Sequence, residues 1–275
     1  MIRIASTALT IISLLVSAAA AQANFPILPD IPDGAQAISL LGEELKAGTP
    51  TEELLENLAA AKAEYQSDPG NVSNIIWLGR RLGYVQNYRD AIEVFSEGIE
   101  IHLEDARFYR HRGHRYISVR EFDRAITDFK IATTLIEGTE DEIEPDGAPN
   151  PAGIPVSTLH SNIRYHLGLA YYLSGDLINA LRVYEIAIAQ SPNDDDRVAT
   201  THWLYMTLRL LGREKDAAAV LEPIHEDMNV IESMTWHYYN GRTDAAKAGF
   251  DEIIATGGWA SFGRIAAESD LARKF

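Results

Sequence analysis

The sequence predicts an all-α fold, a solenoid of stacked helix pairs, and two observations predict it. First, small and aromatic residues return at an interval of 34 residues: Gly79, Ala91 and Phe95 are followed by Gly113, Ala125 and Phe129. Second, residues 161–194 repeat the same spacing of 12 residues from glycine to alanine with Gly168 and Ala180. A fixed period of this length is the signature of a repeat architecture, so we expect one continuous core in which each unit contacts only its neighbours.

The best-defined unit, residues 106–139, resembles the tetratricopeptide repeat. That family repeats a helix–turn–helix with Trp, Leu, Gly and Tyr on its first helix and Ala, Phe, Ala and Pro on its second. Residues 161–194 carry a matching set: Leu167, Gly168, Tyr171, Ala180, Tyr184, Ala187 and Pro192. The resemblance implies a right-handed solenoid of about four to five repeats with terminal capping helices. Positions are counted within units that start at Val72, Ala106, Ser161 and Val198.

The repeat period divides the chain into segments. Residues 1–23 are a signal peptide, 24–33 a Pro-rich arm, 34–70 a degenerate helical pair that caps the stack, and 71–137 units one and two. An acidic, Pro-rich insertion at 138–157 is followed by units three and four at 158–225 and by a shortened repeat with a C-terminal capping helix at 226–275. Helical spacing in the first pair predicts helices at Ala35–Lys46 and Thr51–Ser67.

The first residues predict export. Arg3 precedes an almost wholly apolar run, and Ala21-Gln22-Ala23 offers a small-residue cleavage site before Asn24. This is the pattern of a secretory signal peptide, with an uncleaved membrane anchor as the alternative, and it predicts a periplasmic protein without a membrane span after cleavage. The absence of Cys excludes a lipoprotein anchor, disulfides and thiolate chemistry. A net charge of −16 argues against nucleic acid as the main partner.

Candidate site residues come from the resemblance, which implies that positions 2, 5, 9 and 12, with 6 and 13 beside them, line the concave groove. None of the sixteen residues that we assign to the groove in the four units is Asp or Glu, although the chain as a whole is acidic. The basic and aromatic members are Trp77, Arg80, Tyr84, Arg107, Arg110, His111, His114, Tyr165, His166, Tyr172, His202, Trp203 and Arg209. The others are Ile76, Asn162 and Met206.

This composition predicts a protein-interaction or scaffold module that binds an acidic or extended peptide. Arg can offer a bidentate fork to a carboxylate, and Trp and Tyr provide flat apolar platforms. The groove is similar to the carboxylate clamp of some tetratricopeptide co-chaperones. That clamp, however, has Lys at position 5 and Asn at position 9, where this chain has Arg110 and His114, so its specificity for peptide C-termini is not carried over.

Other interpretations stay open at this point. The arginines could pair with acids of neighbouring helices or of the insertion, whose Glu140, Asp141, Glu142, Glu144 and Asp146 could fold over the groove as an internal competitor. A small anionic ligand or a metal could use His111, His114, His166 and His202. A third alternative is a purely structural role with homodimerisation through other surfaces. No nucleophile elbow, zinc-protease motif or phosphate loop is present, so the sequence predicts neither an enzyme nor a cofactor.

Overall fold

The computed structural model describes residues 31–145, 157–225 and 262–274 of the chain. A short hairpin, β1 (Ala35–Ile38) and β2 (Glu44–Lys46), precedes a series of helices. These are α1 (Glu52–Ser67), α2 (Val72–Tyr84), α3 (Tyr88–Ile101), α4 (Ala106–Ser118), α5 (Phe122–Leu135), α6 (Leu159–Ser174), α7 (Leu177–Ala189), α8 (Asp194–Leu210), α9 (Glu214–Ala219) and α10 (Phe262–Lys274). Consecutive helices from α1 to α9 pack against each other as antiparallel pairs, the arrangement of a tetratricopeptide-repeat solenoid.

The first helix of each unit begins at a side-chain cap. Asn71, Asp105 and Asn193 immediately precede α2, α4 and α8, and Thr158 precedes α6. In each case the side-chain oxygen accepts a hydrogen bond from a backbone N–H of the first turn. These donors have no partner inside the helix, so the caps fix where each unit starts.

Within units one to three, the glycine at position 8 packs against the aromatic ring at position 24. A Cβ added at Gly168 would lie 2.4 Å from the Tyr184 ring, and one at Gly79 would lie 2.4 Å from the Phe95 ring. A Cβ added at Gly113 would lie 3.0 Å from the Phe129 ring. Only glycine lets the two helices of a unit approach this closely, and the rings at position 24 are fully buried in the core.

Position 15, in the turn between the two helices of a unit, has a left-handed backbone throughout. Gly175 and Gly212 adopt φ values of 87° and 70°, as the family pattern favours. Units one and two instead place Gln86 and Arg120 there, with φ values of 62° and 66°. A non-glycine residue in this conformation costs about 1–2 kcal/mol, so the side chain at these two positions needs a reason to be present.

The prediction of a helix at Ala35–Lys46 was wrong, because these residues form the antiparallel β1–β2 hairpin. Gly42 has a φ of 87°, which helices do not accommodate, and the Ser39 hydroxyl accepts hydrogen bonds from the N–H groups of Leu41 and Glu43 to shape the turn. Leu41 is exposed, whereas Ala37 and Leu45 pack into the core. The apolar residues here therefore alternate across a ribbon rather than lining a helix face.

The C-terminal helix α10 does not extend the end of the stack. It contacts α6 and lies against side chains of α4, and Arg264 forms an ion pair with Glu43 of the hairpin at 3.0 Å. The predicted signal peptide, most of the Pro-rich arm, residues 146–156 of the insertion and most of the predicted shortened repeat lie outside the described residues. None of the described helices combines the length and apolar character that crossing a bilayer requires.

Candidate functional site

The inner face formed by α2, α4 and α6 carries most of the predicted site residues. On α2, Arg80 lies over Trp77, with its guanidinium carbon 4.4 Å from the ring centroid. Arg80 Nη2 also donates to the Tyr84 hydroxyl at 3.3 Å. All three side chains are half-buried, so the structure brings them together in reach of solvent. This geometry combines a charge with a flat apolar surface, as in cation–π recognition sites.

Arg110 on α4 is buried and already holds a carboxylate. Its Nη2 donates to Glu144 Oε2 at 2.6 Å, and Asn162 Nδ2 donates to the same oxygen at 2.6 Å. Glu144 belongs to the insertion, so the interpretation that groove arginines pair with acids of the insertion holds for Arg110. Two buried atoms of the pair, Arg110 Nε and Glu144 Oε1, have no hydrogen-bond partner among the described residues. The pair is therefore incompletely satisfied.

A third arginine, Arg115, joins this group and was missed in the sequence. It lies at position 10, which the helical wheel does not assign to the groove. Its guanidinium carbon is 5.1 Å from the centroid of the Tyr88 ring. Burial, together with the positive charges of Arg110 and Arg80, lowers the pKa of Arg115 to about 10. Within the described ranges, neither Arg80 nor Arg115 forms an ion pair, so Arg110 alone of these three neighbouring guanidinium groups is paired with a carboxylate. We call Arg80, Arg110, Arg115 and Glu144 the arginine site.

Arg107 and Arg209 do not belong to the arginine site. Arg107 forms an ion pair at 2.6 Å with Asp105, the cap of its own helix. Arg209 forms one at 2.7 Å with Glu214 at the start of α9. Both pairs are partly exposed and local in sequence, so these two residues do not face the same ligand as Arg110.

The histidines lie beneath this face as neutral rings. His166 is within 4.6 Å of His114 and 5.8 Å of Phe129, measured between ring centroids, and His111 stacks on Phe95. Burial lowers the pKa of His166 to about 3, and it lowers the pKa values of His111 and His114 well below the usual range. A guanidinium beside each ring acts in the same direction.

His202 packs separately, edge-on against Trp203, and burial lowers its pKa to about 4. The described part of the chain contains no group of three or more His, Cys, Asp or Glu side chains arranged to hold a metal ion. The proposed cluster of four histidines is therefore not present as a metal site in this structure.

Units three and four bury some of their predicted groove residues, while Arg209 is exposed. Tyr172 is fully buried, and Trp203 is buried with its indole N–H donating to the Tyr165 hydroxyl at 2.7 Å. The Tyr172 hydroxyl donates to Asp270 at 3.1 Å. Asp270 belongs to α10, so the part of the groove that the sequence predicts as open is covered by the C-terminal helix.

Helix α10 makes several specific contacts with α4 and α6. The Phe262 ring lies 5.1 Å from His114 and 5.4 Å from His166, between centroids. Arg120 binds both carboxylate oxygens of Glu268, at 2.7 and 3.1 Å. Ser269 Oγ donates to the Leu173 carbonyl at 2.7 Å. We call the surface that receives it, His114, Arg120, His166, Tyr172 and the Leu173 carbonyl, the α10-binding surface.

No family model matches the chain. Over 140 residues, half of this chain, it is 25% identical to the BBSome complex member BBS4 of Bos taurus, and it spans about a quarter (23%) of that relative's length. Among solved structures, MamA superposes with a TM-score of 0.47 at 20% identity, covering 60% of this chain and 82% of that one. A Podospora anserina kinesin light chain with nearly identical TPR-like repeats gives 0.49 at 14% identity, covering 62% and 84%.

Proposed function

We propose that this protein is a non-enzymatic interaction module that binds an acidic segment of a protein partner at the arginine site. One observation carries the proposal: Arg80, Arg110 and Arg115 lie close enough for their charges to act on one another, and in the described part of the chain only Arg110 is paired with a carboxylate, although the net charge is −16. Like charges held together in a partly desolvated site favour an incoming anion. Acids elsewhere on the chain repel nonspecific anions, which confines binding to this surface.

Glu144 indicates how a partner carboxylate would bind. Its Oε2 accepts from Arg110 and Asn162, both at 2.6 Å, whereas its Oε1 has no hydrogen-bond partner in the part of the chain that the structure describes. A partner carboxylate that reaches deeper can accept from Arg110 Nε as well, in the bidentate geometry that guanidinium groups favour. Trp77, with Arg80 over its ring, offers an adjoining platform for an aromatic or apolar residue of the same segment. Glu144 acts in this proposal as an internal competitor.

The test uses the full-length protein and a fluorescent Glu-rich peptide, with the Gln-substituted peptide for comparison. We expect Arg80→Ala/Arg115→Ala to weaken binding of the Glu-rich peptide by about tenfold or more, since two charge-assisted contacts are lost. Glu144→Gln should tighten binding by about three- to tenfold, because the site no longer has its own anion. Fluorescence anisotropy at two salt concentrations measures both effects.

Arg182→Ala is the matched control, because Arg182 is an exposed arginine on the outer helix α7. It removes one positive charge without touching the inner face, so it should leave the affinity unchanged. Equal losses in Arg182→Ala and in the single variant Arg80→Ala, each of which removes one positive charge, would mean that binding follows net charge alone. Equal binding of the Glu-rich and Gln-substituted peptides would reject the acidic partner.

We propose further that the protein is exported to the periplasm. The support is the sequence alone: Arg3, the apolar run and the small residues Ala21 and Ala23. N-terminal sequencing of the protein from the envelope fraction of its own cells should give a first residue of Asn24. Recovery of the intact Met1 terminus from the cytoplasm would reject export.

A further inference from the structure

The side of α10 that faces the solenoid is unusually polar. Glu268, Ser269 and Asp270 are buried there beside Ile265 and Ala266. The core of a single domain buries mainly apolar side chains, whereas interfaces between separate partners combine apolar anchors with paired polar groups. The buried side of α10 therefore resembles a partner interface more than a permanent layer of the core.

Electrostatic matching fixes how α10 lies. The ion pair between Arg120 and Glu268 is almost completely removed from solvent, with exposed side-chain fractions of 3% and 0%. Such pairs gain little net stability, because the cost of desolvation offsets the attraction, but a mismatched helix would leave a buried charge unpaired. Arg120 therefore contributes mainly to specificity, because it requires a carboxylate at this point of the bound helix, and adds little to the free energy of binding.

The backbone at Arg120 supports the same conclusion. Position 15 is left-handed in all four units, and glycine occupies it in units three and four. Arg120 adopts a φ of 66° there, and its side chain binds Glu268 and the Ser118 carbonyl. The chain thus keeps a strained arginine where glycine would relax the turn, and beyond its own turn this arginine binds the Glu268 carboxylate of α10.

The remaining contacts define what this surface recognises. Phe262 lies against the neutral rings of His114 and His166, and Ile265, one helical turn later, is fully buried. Glu268 and Asp270 follow at six and eight residues from the phenylalanine and meet Arg120 and the Tyr172 hydroxyl. The pattern is an aromatic residue, an aliphatic residue three positions on, and two acids.

We propose that the α10-binding surface is a docking site for a partner helix with this pattern, and that α10 occupies it in cis until such a helix displaces it. This docking proposal rests on the proposed function, in which a protein partner binds the inner face. It adds that one segment of the partner is a helix. A tethered helix competes as if present at roughly millimolar concentration, so α10 lowers the apparent affinity for any helix arriving in trans.

The experiment measures binding of a fluorescent peptide spanning Phe262–Lys274 to the full-length protein. Wild type should bind it weakly, and Glu268→Ala, which weakens the cis contact, should bind at least about tenfold more tightly. Adding Arg120→Gly to Glu268→Ala should abolish this gain. Adding Gln86→Gly, the same change at position 15 of unit one, should not.

Three outcomes would overturn the proposal. The first is a Glu268→Ala chain that binds the peptide no better than wild type. The second is equal peptide binding by Glu268→Ala and by the double variant Glu268→Ala/Arg120→Gly. The third is loss of far-UV helicity across the whole chain in Glu268→Ala, which would make α10 an integral part of the core. The Glu-rich peptide separates this proposal from the previous one, because its binding depends on Arg80 and Arg115 and should survive Arg120→Gly.

Discussion

Acidification from pH 7 to pH 4.5 is expected to remove a large part of the protein's stability, because its buried histidines stay neutral in the folded state. A histidine in the unfolded chain takes up a proton near pH 6.5, whereas folded His166 resists protonation until about pH 3. Between these values the unfolded state binds more protons, so the stabilisation is complete above pH 6.5 and is lost as the pH falls. Each such histidine lowers the free energy of unfolding by up to about 1.4 kcal/mol for every pH unit of acidification in this range.

The effect should be large because several rings act together. His202, with a pKa of about 4, and His111 and His114, with pKa values well below the usual range, shift in the same direction as His166. Burial is the main cause in each case. The free energy of unfolding should therefore fall by several kcal/mol across this window, a substantial share of the roughly 5–15 kcal/mol that a typical protein has.

Urea unfolding at a series of pH values between 7.5 and 4.5 measures this dependence. In His166→Gln the slope of stability against pH should decrease by about 1.4 kcal/mol per unit, because one group no longer titrates. Arg182→Ala is the control, since it changes a surface charge and no histidine. Parallel curves for wild type and His166→Gln would show that His166 is not shielded from protons in the folded state.

The repeat core could be predicted from the sequence because its determinants are local. Gly168 and Tyr184 lie in the same helix pair, so their spacing is sufficient to place them in contact. Helix starts such as Asn71 are also set by neighbours within three residues. The exception is the hairpin at Ala35–Lys46, where Leu40 and Leu41 mimic a helical stripe but lie in an exposed turn.

The candidate site was harder to predict, because its contacts join distant parts of the chain. Arg110 meets Glu144 at a separation of 34 residues, and Arg120 meets Glu268 at 148. Periodicity identifies which side of a helix is apolar, but it does not show that a later segment returns to cover the polar side. Tyr172 was therefore assigned to an open groove, although it is completely buried and its hydroxyl donates to Asp270 of α10. The signal that could have pointed to α10 is the non-glycine residue at position 15 of unit two.

A second break in the repeat pattern marks a buried ion pair inside unit two. Position 7 is Leu78, Leu167 and Leu204 in the other units, and position 23 is Val94, Val183 and Val220. Unit two has Arg112 and Asp128 at these positions. Arg112 Nε and Nη2 donate to the two carboxylate oxygens of Asp128 at 2.8 Å each, and Asp128 is 3% exposed. A charged pair thus stands where the other three units have a leucine and a valine.

The two partners respond to this environment differently. Burial raises the pKa of Asp128 despite the opposing effect of Arg112. Burial lowers the pKa of Arg112, but the hydrogen bonds and charge of Asp128 together raise it. The Asp128 side chain is the more deeply buried of the two, 4% exposed against 18% for Arg112, so the loss of hydration is greater for the carboxylate than for the guanidinium group. The desolvation of the carboxylate therefore offsets most of what the pair gains.

Replacing one partner should consequently cost far more than replacing both. Arg112→Leu leaves the Asp128 carboxylate buried without its partner, and we expect it to lower the free energy of unfolding by about 3–5 kcal/mol. Asp128→Val should cost less, because the partly exposed Arg112 can extend towards solvent. The double variant Arg112→Leu/Asp128→Val restores the residues of the other units and should lie within about 1 kcal/mol of wild type, or above it. Urea unfolding at pH 7 gives all three values, and a double variant whose loss equals the sum of the single losses would show that the pair itself stabilises unit two.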